Sequence, residues 1–208
     1  MVSFHTSHRL LLIVPATLFA VLTAAIAIVP AVALNIRHGP TGEPAPVAAD
    51  VERGRRLYIA EGCGTCHTQQ VRVDTRRLPD SEGSYPPLAQ DVRYGRPSVP
   101  ADYALDDPPL LGTERTGPDL QNIGDRLPSA DWHYTHLFDP RIVSPDSIMP
   151  SYRWYFRTKE DRRPEDRRVL LTDNARNKLG RGYEVWATPD AQDLVAYLLS
   201  LRPATRDR

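Results

Sequence analysis

Cysteine is scarce in this chain: only two of the 208 residues are cysteines, and they stand at positions 63 and 66. An isolated pair this close together cannot form the disulfide framework of a small secreted domain. The chemistry left open to such a pair is a redox dithiol, part of a metal site or the attachment of a haem. The residues around the pair have to distinguish among these possibilities.

The formal net charge is zero, because 26 basic residues balance 26 acidic ones. Without a basic surplus the chain lacks the overall field that attracts proteins to nucleic acid, so we expect no nucleic-acid partner. The sequence shows no strand-like alternation of useful length, whereas its 20 prolines are spread through the middle of the chain. Prolines spaced in this way predict a mostly α fold with short helices and long proline-rich loops.

Charged residues are absent from Leu10 to Leu34, a run of 25 residues. As a helix that rises about 1.5 Å per residue, this run can cross a hydrocarbon core about 30 Å thick. A cleaved signal peptide is the alternative, because Ala31-Val32-Ala33 resembles a cleavage site. The apolar part of a signal normally has only about 7 to 15 residues, however, so we predict a retained transmembrane anchor.

The anchor divides the chain into four predicted parts. Residues 1–9 form an N-terminal tail and residues 10–34 form the transmembrane helix. Residues 35–49, which are rich in Pro, Gly and Ala, have the composition of an extended linker. Residues 50–208 form the folded domain.

The two cysteines belong to the sequence Cys63-Gly64-Thr65-Cys66-His67, which has the pattern C-x-x-C-H. In this pattern two thiols add to the vinyl groups of a haem as thioethers, and the following imidazole becomes the proximal ligand of the iron. A redox dithiol would need a preceding strand in a βαβ unit, and a zinc site would need two more ligands; the sequence offers neither. We therefore predict one covalent haem c on Cys63 and Cys66, with iron bound by His67.

Haem attachment also predicts where the domain lies. The charges that flank the apolar run, Arg9 and Arg37, are too few to orient the helix by themselves. Because haem c is attached outside the cytoplasm in bacteria, we expect residues 50–208 on the periplasmic side of the inner membrane. The single-pass anchor would then leave residues 1–9 in the cytoplasm.

A second axial ligand is suggested by the scarcity of methionine, because Met149 is the only methionine besides the initiator Met1. Met149 precedes a proline, and a thioether presented from such an extended segment suits a distal haem ligand. It could instead be ordinary core packing. The rival ligands are His133 and His136, which would face the same side of a helix and give a haem of lower potential.

Other residues are expected to support the haem. Pro118 follows a glycine and could offer its carbonyl to the second nitrogen of the proximal histidine. A short helix over Val51–Ala60, capped by Asp50, should lead into the haem motif. A last helix should begin at Thr188-Pro189 and bury one face, and Gly54 should let the first and last helices cross closely near Tyr58 and Tyr197. The highly charged stretch from Arg157 to Arg168 is interpreted as a solvated loop.

Several segments together resemble the mono-haem cytochrome c subunit (subunit II) of cbb3-type cytochrome c oxidases. Those segments are the apolar anchor, Gly62–Arg72, Arg93–Gly95, Gly112–Leu120, Asp131–His133, His136–Arg141 and Ser147–Tyr152. The resemblance covers most of Val51–Phe156. The stretch Asp74–Gln90 is longer than expected for the family, and Arg157–Tyr183 does not match its usual tail.

The resemblance implies a class I cytochrome c domain on a single-pass tether. It further implies an electron-transfer subunit without a substrate-converting site of its own, which receives electrons from a di-haem cytochrome c subunit. The acceptor would be the haem b and copper core subunit of the oxidase. By resemblance, Met149 is the distal ligand, whereas His133 and His136 are structural or lie near the haem. A stand-alone cytochrome c and the haem c subunit of a nitric oxide reductase are the alternatives.

Overall fold

The computed structural model describes residues 8–38, 46–77, 87, 89–103, 106–180 and 182–202. The chain divides into two compact units, one holding the N-terminal helix together with residues 99–107, the other holding residues 44–98 and 108–208. The predicted tail, linker and long loop at 74–90 lie partly outside the described residues. The helices of the second unit are α3 (Ala49–Ala60), α4 (Ile123–Arg126), α5 (Ala130–Phe138), α6 (Pro140–Val143), α7 (Asp173–Leu179) and α8 (Pro189–Ser200).

The first unit is dominated by one long apolar helix. It consists of α1 (His8–Thr23), a π-helical segment at Ala24–Ile28 and α2 (Val29–His38). The stretch Arg9–Ala33 is long and apolar enough to cross a membrane, and none of its most apolar window is buried. The widened π turn lies just before Pro30, which cannot donate a backbone hydrogen bond and would crowd the carbonyl one turn earlier.

The second unit is mostly helical, as the sequence predicted, and its centre is the crossing of α3 with α8. A Cβ atom on Gly54 would lie 1.9 Å from the backbone oxygen of Asp193 and 2.8 Å from the Cβ of Tyr197. Only glycine therefore allows the two helix backbones to approach this closely. Next to the crossing, the rings of Tyr58 and Tyr197 have centroids 5.3 Å apart. The predicted close crossing is confirmed.

The predicted start of α8 is confirmed, and the predicted start of α3 is wrong. The Thr188 hydroxyl accepts the backbone N–H of Ala191 at 3.4 Å, and Pro189 is the first residue of α8. By contrast, α3 begins two residues before Val51, with Ala48 as an N-cap that makes no side-chain bond. Asp50 lies in the first turn, where its charge favours the helix dipole, and its carboxylate accepts the Val51 N–H at 2.9 Å.

A small antiparallel sheet follows the helical core. Its strands are β1 (Phe156–Arg157), β2 (Arg167–Arg168) and β3 (Trp186–Ala187), in the order β1-β3-β2. Asp166 is buried beside Arg157, whose Nε lies 3.2 Å from the carboxylate, an ion pair without hydrogen-bond geometry. The interpretation of Arg157–Arg168 as a solvated loop is therefore wrong at both ends, where residues pair in strands and Asp166 is buried. The mixed charges of this stretch gave no sign of either feature.

Candidate haem site

The haem motif forms a tight turn at the end of α3. Gly62 has a φ of 66°, a left-handed conformation that glycine adopts without steric cost. The chain then enters a 3-10 turn at Cys63–Thr65, in which the His67 N–H donates to the Cys63 carbonyl at 3.0 Å. Cys63 is partly buried against the hydrophobic core, whereas Cys66 is exposed. The turn thus gathers both sulfurs and the imidazole within five residues of sequence.

The His67 ring is held from one side by a distant backbone carbonyl. Its Nδ1 lies 2.7 Å from the Pro118 oxygen, so Nδ1 carries the hydrogen and the Nε2 lone pair is left for a metal. Burial lowers the pKa of His67, although the Pro118 hydrogen bond acts in the opposite direction. A Cβ on Gly117 would lie 2.3 Å from the ring Cε1, so only glycine lets this segment pass beneath the imidazole.

The segment after Pro118 is secured by a buried ionic hub that sequence reasoning missed. Asp119 is fully buried and accepts hydrogen bonds from the Gln70 N–H at 2.9 Å, the Thr68 hydroxyl at 2.5 Å and Arg115 at 3.0 Å. Arg115 also pairs with the buried Asp91. Buried carboxylates persist only with such partners, so the hub ties the residues after the haem motif to those beneath the proximal histidine. The sequence did offer one sign of this ion pair, since Arg115 and Asp119 lie on either side of Gly117-Pro118.

The two rival histidines have different surroundings. His133 is buried, and its Nε2 lies 2.8 Å from the Leu127 carbonyl oxygen, which occupies that nitrogen with a structural bond. His136 stacks on the Trp132 ring, with centroids 4.9 Å apart and planes 8° from parallel. Its Nδ1 is buried and has no hydrogen-bond partner among the described residues. Burial, assisted by the charges of His133 and His67, lowers the pKa of His136 to about 4.

Met149 lies in the loop between α6 and the 3-10 turn at Arg153–Tyr155. Its side chain is partly buried and packs against the same hydrophobic core as Cys63. Three residues later, the Tyr152 N–H donates to the Leu137 carbonyl at 2.8 Å, which fastens the loop to α5 next to His136. Tyr152 itself is buried beside Cys63. The loop therefore links the predicted distal residue to the first attachment cysteine.

A charged clamp at the start of α6 holds the same loop. Asp139 caps α6 and accepts from Arg153 at 2.7 Å. Arg141 donates to the Met149 carbonyl and to the Ser151 hydroxyl, each at 3.2 Å. Because the clamp holds the backbone of Met149 and the side chains of Ser151 and Arg153, it restricts where the Met149 side chain can point.

The clamp predicts a pH-dependent loss of stability. Burial acts to raise the pKa of Asp139, but hydrogen bonds from Arg153 and Arg141 outweigh it, so this pKa lies below the ordinary value of about 3.9. A carboxyl whose pKa is lowered by folding stabilises the fold above its unfolded-state pKa and loses that contribution as pH falls. Asp139→Asn should therefore lower the unfolding free energy at pH 7 by about 1 kcal/mol or less, since the arginines are half-exposed.

Thermal unfolding of wild type and variant between about pH 7 and pH 2 measures this effect. The difference between the two proteins should shrink below about pH 5 and vanish at the acid end. Asp173→Asn is the matched control, because Asp173 is 95% exposed and pairs with Arg176 across one helical turn. A difference that persists unchanged into acid would contradict the role given to Asp139.

The family model described as "Cytochrome C oxidase, mono-heme subunit/FixO" matches residues 3–197. The chain belongs to this family. It is accordingly a mono-haem, electron-transferring subunit of a cbb3-type cytochrome c oxidase and has no catalytic site of its own. This membership favours the oxidase over the stand-alone cytochrome and the nitric oxide reductase subunit. No curated protein is significantly similar to the chain.

The family implies one haem, and the geometry of the second unit fits it. The hydrogen bond from His67 to Pro118 leaves Nε2 for a ligand, and His136 adds a buried nitrogen that has no partner among the described residues, the kind of atom that marks the place of an unseen group. The structure brings Pro118 against His67 and packs Met149 and Cys63 on one core. The Nε2 of His133 is instead bonded to the Leu127 carbonyl.

Proposed function

We propose that this subunit carries its haem as haem c, bound by thioethers to Cys63 and Cys66, with His67 as proximal and Met149 as distal ligand. The observation that supports this most is the fixed imidazole of His67, which follows the cysteine pair directly and keeps Nε2 free because Nδ1 donates to Pro118. A histidine oriented through its second nitrogen is what metal ligation requires.

Bound haem supplies iron that alternates between the ferrous and ferric states. The chain's own residues set how readily it does so. The Pro118 carbonyl fixes the His67 tautomer and increases the basicity of the ligating nitrogen. A thioether from Met149 favours the ferrous state and so raises the reduction potential. The buried Tyr152 beside Cys63 limits the access of water to this side of the site.

The site of attachment supports a membrane orientation. Because haem c is attached outside the cytoplasm, residues 50–208 would lie on the periplasmic side of a bacterial inner membrane. The apolar helix at Arg9–Ala33 would then cross the membrane once, with residues 1–9 in the cytoplasm. Covalent haem on the mature chain would therefore also report that the domain had been exported.

The proposed electron donor is the di-haem cytochrome c subunit of the oxidase, and the proposed acceptor is the haem b and copper core subunit. Purification of the full-length, affinity-tagged chain from its own membranes in mild detergent tests this assignment. We expect co-elution with a haem b and copper chain and with a second c-type cytochrome, in a preparation that reduces oxygen. Elution of the chain alone, or with an activity towards nitric oxide but not oxygen, would exclude these partners.

A further inference from the structure

A cavity of about 600 Å³ lies beside the segment that supports the proximal histidine. Gly117 and Pro118 form part of its wall, and Tyr94 forms another part. The cavity is also lined by four arginines: Arg72, Arg93, Arg115 and Arg126. Asp91 is the only carboxylate among the lining residues. The surplus of guanidinium groups makes this a strongly cationic cavity.

Two of the four arginines are neutralised within the fold. Arg72 Nε lies 3.2 Å from a carboxylate oxygen of Asp91, which is fully buried. Arg115 pairs with Asp91 and with the equally buried Asp119. Both carboxylates also accept backbone N–H groups, so their capacity is used inside the domain. Neither carboxylate forms a salt bridge with Arg93 or Arg126 among the described residues.

Arg93 and Arg126 lack an ion-pair partner among the described residues, and both lie on the Tyr94 ring. Their guanidinium carbons are 4.9 Å and 4.7 Å from the ring centroid. Arg93 donates to the Tyr94 hydroxyl at 2.7 Å. Arg126 donates to the Asp119 backbone oxygen at 2.6 Å, and its buried Nε has no acceptor among the described residues. The guanidinium carbon of Arg115 lies 5.6 Å from the same centroid, so one ring gathers three like charges, of which only Arg115 is ion-paired.

Like charges held this close together repel one another, and a bound anion would reduce that repulsion. Burial lowers the pKa of Arg126, and the nearby Arg93 lowers it further, while Tyr94 and Asp119 oppose the shift. A planar oxyanion can accept two parallel hydrogen bonds from one guanidinium, a geometry that arginine favours.

We propose that Arg93 and Arg126, held on Tyr94, form a binding site for an oxyanion, a carboxylate or phosphate group. The carboxylate could be a propionate of the protein's own haem, which rests on the proposed function, since Pro118 belongs both to the cavity wall and to the support of His67. The oxyanion could equally come from solution, because Arg93 lines the cavity and is exposed. Both sources offer the same acceptor chemistry.

The experiment uses the haem-loaded, full-length protein in a neutral detergent. Inorganic phosphate is titrated by calorimetry, and the propionate bending bands are recorded by resonance Raman spectroscopy. The variants are Arg93→Gln, Arg126→Gln and Arg126→Lys, which keeps the charge but loses the planar fork. Arg56→Gln is the matched control, because Arg56 is an exposed arginine on α3 that pairs with Glu52. Arg93→Gln keeps the test open should an Arg126 variant fail to fold.

A site for external oxyanions predicts saturable phosphate binding. The affinity for phosphate should fall at least tenfold in the two glutamine variants and should also fall in Arg126→Lys. It should not change in the Arg56→Gln control. The haem bands would then stay unchanged. A site for the haem's own carboxylate predicts no phosphate binding and shifted propionate bands in the Arg93 and Arg126 variants only. If phosphate fails to bind and no variant moves the bands, the proposal is wrong. The phosphate result does not depend on how the haem is attached, so failure of the haem assignment would be recognised separately.

Discussion

Replacing Cys63 and Cys66 together with serine is expected to abolish covalent haem. A thioether requires a sulfur to add to each vinyl group, and a serine hydroxyl does not replace it. The protein is produced for this test in a host with working cytochrome maturation, so that a missing haem reports on the cysteines.

Haem staining of a denaturing gel, together with the mass of the intact chain, measures the result. The wild type should retain the chromophore and gain the mass of one haem, whereas the double variant should do neither. Thr65→Ser is the control, because it alters one of the two residues between the cysteines and keeps the hydroxyl that donates to the Gly62 carbonyl at 2.7 Å. A wild-type chain that carries no haem after denaturation would contradict covalent attachment altogether.

Met149→Leu should keep covalent haem and lose the bond between sulfur and iron. The ferric protein would then lack the weak red absorption of a sulfur ligand, and its reduction potential would fall because the thioether favours ferrous iron. A fall on the order of 0.1 V is reasonable within the range of about 0.8 V that axial ligands span. Leucine has nearly the volume of methionine, so the fold should lose less than about 1.5 kcal/mol.

Absorption spectra and a redox titration of the haem-loaded protein measure both effects. The neighbouring Ile148 is 75% exposed, so Ile148→Leu serves as a control that changes the same loop without touching a proposed ligand. If the Met149 variant keeps the wild-type spectrum, His136 becomes the candidate, because its Nδ1 has no partner among the described residues. His133 is the weaker alternative, since its Nε2 is bonded to the Leu127 carbonyl.

The features that could be predicted from sequence are those that depend on residues near one another in the chain. The pattern C-x-x-C-H, the apolar run after Arg9 and the start of α8 at Thr188 each need only a few consecutive residues. Gly54 was predictable for a related reason, because a glycine amid larger residues on a helix indicates close approach. Even so, the start of α3 was misplaced, since Asp50 bonds to its own neighbour rather than capping the helix.

Local pattern, then, suffices for the haem motif, the membrane helix and the mostly helical class, because helix formation and thioether chemistry act over a few residues. The support around His67 depends on contacts between distant positions. Pro118 reaches His67 across 51 residues, and Asp119 joins Thr68 over the same separation. Which carboxylate neutralises which arginine follows from packing geometry, and mixed charges in a sequence do not encode it. That is why the buried Arg115 hub, the Asp139 clamp and the stacking of Arg93 and Arg126 on Tyr94 became visible only in the folded structure.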